Sequence, residues 1–246
     1  MRALRILAIG SRKPLLGIDC MVGSTQSCLK ACITGILAAL VWGGVAAAEC
    51  MSDYQEQIDD YEETIVRNIL MAAQGDIERF FDLDLDGFCI EYEPDTAYFI
   101  HVAPDYDAII LGEDFLFEMS SAPWNFNSLI SILAHEGAHG FQVKHDLISS
   151  LDFDSGGYVK CVELHADFMA GGFMRWSSGK YKMELPKLSE LFYTLGDHEY
   201  TKRTHHGSPP ERFLAFKNGF DAPADDEETL AVMGLAYVYG ENCGNG

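Results

Sequence analysis

The sequence predicts an α+β fold, a small antiparallel sheet packed on a helical core, and three observations predict it. Short runs rich in aromatic and β-branched residues fall close together at 88–92, 98–102 and 108–111, separated by turn residues. From Glu113 onward the apolar spacing turns helical and stays so to the end of the chain. One of those helices, over 125–144, is apolar for most of its length and yet carries His135, Glu136 and His139 in an HExxH pattern. Strands grouped ahead of helices, rather than alternating with them, is the order of an α+β arrangement.

The N-terminal 48 residues do not read as part of that fold. Arg2, Arg5, Arg12, Lys13 and Lys30 make the segment basic, and Asp19 is its sole acid. An apolar run over 31–48 follows and closes on Ala46-Ala47-Ala48, an A-x-A cleavage pattern ahead of Glu49. This is the layout of a secretory signal peptide. We expect residues 1–48 to be a leader and 49–246 to be the folded domain. The competing expectation is an uncleaved anchor, since the run is about as long as the shortest bilayer span. An exported chain would be secreted or periplasmic. Of seven cysteines, Cys50, Cys89, Cys161 and Cys243 lie beyond the leader, an even number that suits two disulfides in an oxidising compartment.

Without the leader the chain keeps 12 basic against 37 acidic side chains, a formal charge of −25. Such a surface repels phosphate backbones and anionic headgroups, which excludes nucleic acid as an expected partner.

Taken in order, the domain should open with an amphipathic helix over 53–73. Ser52 can cap it, and Tyr54, Ile58, Tyr61, Ile65 and Ile69 form its apolar stripe. Gly75 and the acidic DLDLDG stretch should end it. In that stretch Asp82, Asp84, Asp86, Gly87 and Glu93 stand at positions 1, 3, 5, 6 and 12 of an EF-hand-like loop, so Asp82, Asp84, Asp86 and Glu93 are candidate Ca2+ ligands. The strand expected immediately afterwards and Pro94 argue for an acidic turn instead. The three strands and the helix over 125–144 follow. Further helices are expected over 158–177, 186–195, 209–219 and 225–239.

Residues four apart on a helix share a face, so His135 and His139 can reach one Zn2+ through their imidazoles. Glu136 then stands where it can act on a water beside the ion. Imidazole and carboxylate groups in so apolar a helix are costly unless paired or metallated. Two residues compete for third ligand. His145 has the spacing of an HExxHxxGxxH site, but that pattern needs glycine where this chain has Gln142. Glu163 is preferred. It lies four residues before Asp167 on one helix face, so that one carboxylate can bind metal while the other accepts a hydrogen bond from a ligating imidazole.

At this point the chain resembles a family. AHEGAHGFQ followed by ELHADFMAGGF is similar to the HExxH…ExxxD core of gluzincin metallopeptidases. The stretch TLGDHEYTKRTHHGSPPERFLAFKNGF resembles the GDD…THG…QR…F…GF segment of bacterial neutral zinc metallopeptidases, and more loosely the HPPTEER segment of membrane-bound heat-shock and CAAX-type zinc proteases. The likeness spans roughly residues 97–220. It implies a zincin-like fold and peptide-bond hydrolysis with one catalytic zinc. It also implies Glu163 as third ligand, Glu136 as general base, and His206 with Arg212 near the substrate. Chemistry adds that a tetrahedral oxyanion needs a donor, and His206 is preferred to His205 on its spacing to Arg212. The chain departs from these families in its acidic N-terminal helix, its DxDxDG loop and its lack of several membrane spans. Two other functions stay open: a zinc-binding interaction domain without catalysis, and a zinc amidase acting on cell-wall peptides.

Overall fold

A computed structural model of the chain describes residues 7–8, 61–91, 97–102, 106–120, 125–154, 159–181 and 184–241. Ser52, Cys50, Glu93, Cys243 and the apolar run over 31–48 lie outside the described residues.

Strands β2 (Gly87–Glu91), β3 (Ala97–Val102) and β4 (Tyr106–Gly112) form the body of one sheet. A two-residue strand β1 (Leu7–Ala8), within the expected leader, pairs parallel with β3, Leu7 opposite Ile100. The sheet is mixed, which corrects the expected antiparallel one. β3 and β4 are antiparallel, but β2 runs parallel to β4, with Gly87 opposite Ala108 and Glu91 opposite Gly112. The reason lies in β4. Ile109 and Leu111 join the main core, while Ala108 and Ile110 face a second cluster with Cys89. A strand apolar on both faces belongs in the interior of a sheet, so β2 and β3 flank it rather than each other.

Eight α-helices pack with this sheet among the described residues. Helix α1 (Tyr61–Phe81) does not stop at Gly75 as expected. Ile77, Phe80 and Phe81 continue it and are buried against its neighbours. A helical glycine costs about 1 kcal/mol, and burying each of those three side chains contributes about 1.5–3 kcal/mol, so burial wins. Helix α2 (Glu113–Ser120) follows β4 directly. Helix α3 (Phe126–Lys144) is capped by the Asn125 side chain, which accepts from the amides of Asn127 and Ser128. Every residue of α3 from Ser128 to Gln142 is buried. That is the signature of a helix enclosed on all sides, here by α1, β3, α5 and their neighbours.

A short helix α4 (Leu147–Asp154), not expected from the pattern, leads to α5 (Lys160–Trp176). Then come α6 (Leu185–Leu195), α7 (Pro209–Asp221) and α8 (Glu227–Glu241). Pro209 begins α7 within a capping box, where Glu211 accepts from the Ser208 amide and hydroxyl. This helix crosses α5 closely enough that glycine is required on both sides. A Cβ on Gly219 would stand 1.8 Å from the Phe168 carbonyl oxygen, and one on Gly171 2.0 Å from that of Phe216. Both obstacles are backbone and cannot swing aside. Gly219→Ala should therefore destabilise by at least the roughly 1–3 kcal/mol of ordinary overpacking, read from the urea midpoint. Gly75→Ala, with nothing within 4 Å of the new methyl, should not destabilise.

Candidate metal centre

Three buried donors converge where α3 meets α5. The Nε2 atoms of His135 and His139 are 3.1 Å apart. Glu163 sets Oε2 3.5 Å from the first and Oε1 3.7 Å from the second. Local geometry explains the histidine pair, because one helical turn separates them. Glu163 arrives from a different helix and joins them only because α5 packs along α3. Among the described residues this is the one group of three histidine, cysteine or carboxylate side chains close enough to hold an ion.

The arrangement fits a metal on three counts. Bonds of about 2.0–2.1 Å in a tetrahedral site separate ligand atoms by roughly 3.3 Å, and the observed separations straddle that value. Both oxygens of Glu163 and Oε1 of Glu136 are buried and lack hydrogen-bond partners, a costly condition that a cation relieves. The carboxylates of Glu136, Glu163 and Asp167 face a single guanidinium, Arg212, all of them buried. Three carboxylates against one guanidinium is a balance that favours a bound cation. The donor set of two imidazoles and a carboxylate does not by itself choose among divalent metals.

Polar groups from α3, α5, α7 and β3 surround the donors. Asp167 Oδ1 approaches His135 Nδ1 at 2.9 Å. Arg212 grips Asp167 with two parallel hydrogen bonds, Nε to Oδ2 at 2.7 Å and Nη2 to Oδ1 at 2.6 Å, and places Nη1 3.5 Å from Glu163 Oε2. Gln142 Oε1 faces His139 Nδ1 at 2.8 Å. The Phe99 amide of β3 donates to Glu136 Oε2 at 3.0 Å, which fixes that carboxylate beside the donors.

Burial and charge pull the titrations apart. Burial pushes Glu136 up to about 7 and His139 down to about 4. Burial alone would lower His135, but Asp167 and Glu163 outweigh it and hold the imidazole at about 9. Burial likewise opposes ionisation of Glu163, yet His135, His139 and Arg212 together keep it well below the usual carboxylate range. Burial disfavours the Arg212 charge as well, and the adjacent Asp167 and Glu163 more than restore it.

The sequence-predicted residues divide accordingly. His135, Glu136, His139, Glu163 and Asp167 come together. Arg212 does too, but it is fully buried on Asp167 and Glu163. The expected place near the substrate therefore takes the form of contacts to the carboxylates, two hydrogen bonds to Asp167 and a 3.5 Å approach to Glu163. His145 is exposed at the C-cap of α3, its ring against Phe141, and takes no part.

The acidic loop does not gather. Asp82 is paired with Lys144, and Asp86 accepts the Asp107 amide at 2.9 Å. Asp82, Asp84 and Asp86 form no ion-sized cluster among the described residues, and Glu93, the fourth candidate ligand, lies outside them.

His206 sits on the loop before α7. Asp197 holds this loop, accepting the His206 amide at 2.9 Å while its carboxylate also meets both histidine rings. Burial would raise the Asp197 carboxyl, but the amides of His206 and Glu199 and the His205 ring bring it down to about 2. Gly207, at φ +104, lets the loop lie on Leu164, the residue after Glu163. The His205 Nε2 is buried and 4.0 Å from Glu211, whereas the His206 ring keeps more of its surface open.

One hint of Gln142 was legible in the sequence. It follows His139 by three residues, on the ligand face of an otherwise apolar helix. Compared with protein-family models, curated proteins and solved structures, the chain matches none of them.

Proposed function

We propose that this chain is an exported zinc-dependent peptidase, with the metal held by His135, His139 and Glu163 and with Glu136 as general base. The observation that carries the reading is a fully buried carboxylate, Glu136, fixed by a strand amide beside three converging donors. A metal-binding scaffold has no need of that carboxylate. When bound, zinc activates water and polarises a carbonyl. Glu136 accepts a proton from the attacking water and later delivers it to the leaving amine, a role suited to a carboxyl that burial raises towards neutrality. Asp167 and Arg212 hold the His135 ring, and Gln142 holds that of His139. His206, on the loop that Asp197 fixes, supplies the hydrogen-bond donor for negative charge developing on the scissile carbonyl. Export rests on the leader-like N-terminal segment. Among the described residues no helix is long and apolar enough to cross a membrane. The strongly acidic charge disfavours nucleic acid and favours cationic polypeptides.

The test is a pair of variants assayed on a broad peptide library with zinc content measured in parallel. Glu136→Gln should keep zinc and lose hydrolysis, because it removes the base and no donor to the ion. His206→Ala should lower kcat by about 10²–10³ with zinc unchanged, the usual cost of one oxyanion donor, and His205→Ala should do little. If zinc-loaded wild type cleaves no peptide, the peptidase reading fails and the interaction domain gains. Cleavage confined to cell-wall fragments would make the protein an amidase of that class.

A further inference from the structure

The polar groups behind His139 form a chain whose hydrogen-bond directions are forced from one end to the other. It starts at the Ala231 carbonyl of α8, which can only accept. His165 Nε2 lies 3.3 Å from it and must therefore carry the proton. A neutral imidazole protonated at Nε2 has its lone pair at Nδ1, and Gln142 Nε2 is 3.0 Å from that atom. The atom of Gln142 that faces it must then be its NH2 group. A second carbonyl makes the same demand independently, since Gln142 Nε2 also donates to Val162 O at 2.9 Å. With the amide so oriented, Oε1 is the atom that meets His139 Nδ1. Oε1 can only accept, so His139 carries its proton on Nδ1 and presents a lone pair at Nε2. That is the nitrogen facing His135 and Glu163.

Gln142, His139 and His165 are all fully buried, so water cannot substitute for any link. Gly234 of α8 brings this helix close enough to close the chain, because a Cβ there would meet the His165 ring at 3.1 Å. The two histidine donors are thus held differently: His135 faces the Asp167 carboxylate, which Arg212 backs, and His139 a neutral amide anchored to the Val162 carbonyl and, through His165, to that of Ala231.

We propose that Gln142 is a positioning residue for metal binding, fixing the tautomer and ring angle of His139, and that His165 acts through Gln142 by locking the orientation of its amide. The relay makes α8, through Ala231, part of the support of the metal centre. This inference rests on metal binding by His135, His139 and Glu163, and not on hydrolysis. Outer partners of this kind are worth about 10–100-fold in metal affinity.

The experiment is Zn2+ affinity by chelator competition on the purified protein, with absorption of the Co2+ form as a second readout. Gln142→Leu keeps the bulk and removes every hydrogen bond. It should weaken Zn2+ binding about 10–100-fold and alter the Co2+ spectrum. His165→Leu should weaken binding less. The double variant should be no worse than Gln142→Leu alone, since coupled residues are non-additive. Additive losses, or Gln142→Leu binding as tightly as wild type, would overturn the relay while leaving the metal centre standing, provided Glu163→Ala has lost the ion. Wild type that binds neither Zn2+ nor Co2+ would overturn the metal centre and the relay together. Nitrogen NMR of the unsubstituted metal-free protein gives a readout independent of folding variants. His139 should be protonated at Nδ1 and His165 at Nε2, and the opposite tautomer at either ring refutes the proposal.

Discussion

Replacing Arg212 by leucine is expected to cost about 3–5 kcal/mol of stability, the usual penalty for removing one partner of a buried ion pair. Arg212 is the largest fully buried side chain among the described residues, and its guanidinium reaches both Asp167 and Glu163. Without it Asp167 and Glu163 would lie in a water-free interior with only the His135 imidazole beside them to offset their charge. The sign of the metal effect follows. The loss should be largest in EDTA and smaller with Zn2+ added, because a divalent ion supplies some of the missing positive charge. Arg212→Lys should recover only part, since an ammonium cannot form the two parallel bonds that Asp167 receives. Urea denaturation with and without Zn2+ checks both points. A loss under 1 kcal/mol in EDTA would mean that Asp167 and Glu163 do not depend on the guanidinium.

Replacing Glu163 by alanine should weaken Zn2+ binding by more than the roughly 10–100-fold that an outer partner is worth, because it deletes a donor atom. Thermal melting gives a direct measure. Added Zn2+ at a hundred times its wild-type Kd should raise wild-type stability by about 2.7 kcal/mol through linkage, and should leave the Glu163→Ala melt nearly unmoved. His145→Ala should respond as wild type does, its ring being exposed at the end of α3. If His145→Ala lost the ion and Glu163→Ala kept it, the centre would have to be rebuilt around the end of α3.

These two results probe parts of the protein that were unequally visible in its sequence. The pairing of His135 with His139 is a property of the helix alone, because four residues return a side chain to the same face. Glu163 and Asp167 share a face for the same reason. Helix existence was legible wherever apolar spacing was strong, and the ends of α3 agree with the expected 125–144 to within one residue. Local rules failed where burial overrode them. Gly75 does not end α1, because Ile77, Phe80 and Phe81 have a core to enter. The parallel pairing of β2 with β4 was hidden because adjacency in sequence favours a β2–β3 hairpin, and only the two-sided burial of β4 puts it between them.

What the sequence determined by itself was therefore a set of faces: two histidines on one helix, two carboxylates on another, and a basic residue early on a third. What only the tertiary structure decided was which faces meet. Glu163 stands 24 residues beyond His139, and Arg212 lies 45 from the aspartate it grips. No helical or strand period reaches across such separations. The packing of α5 on α3 chose Glu163 over His145. The glycine-permitted crossing of α5 and α7 brought Arg212 onto the carboxylates. Gln142 was a buried amide without a visible partner until α5 and α8 supplied His165 and the Ala231 carbonyl. The physical reason is the same in each case. A short-range pattern fixes the direction of a side chain relative to its own backbone. The partner it meets there is set by long-range burial, which the chain resolves only when its helices close around α3.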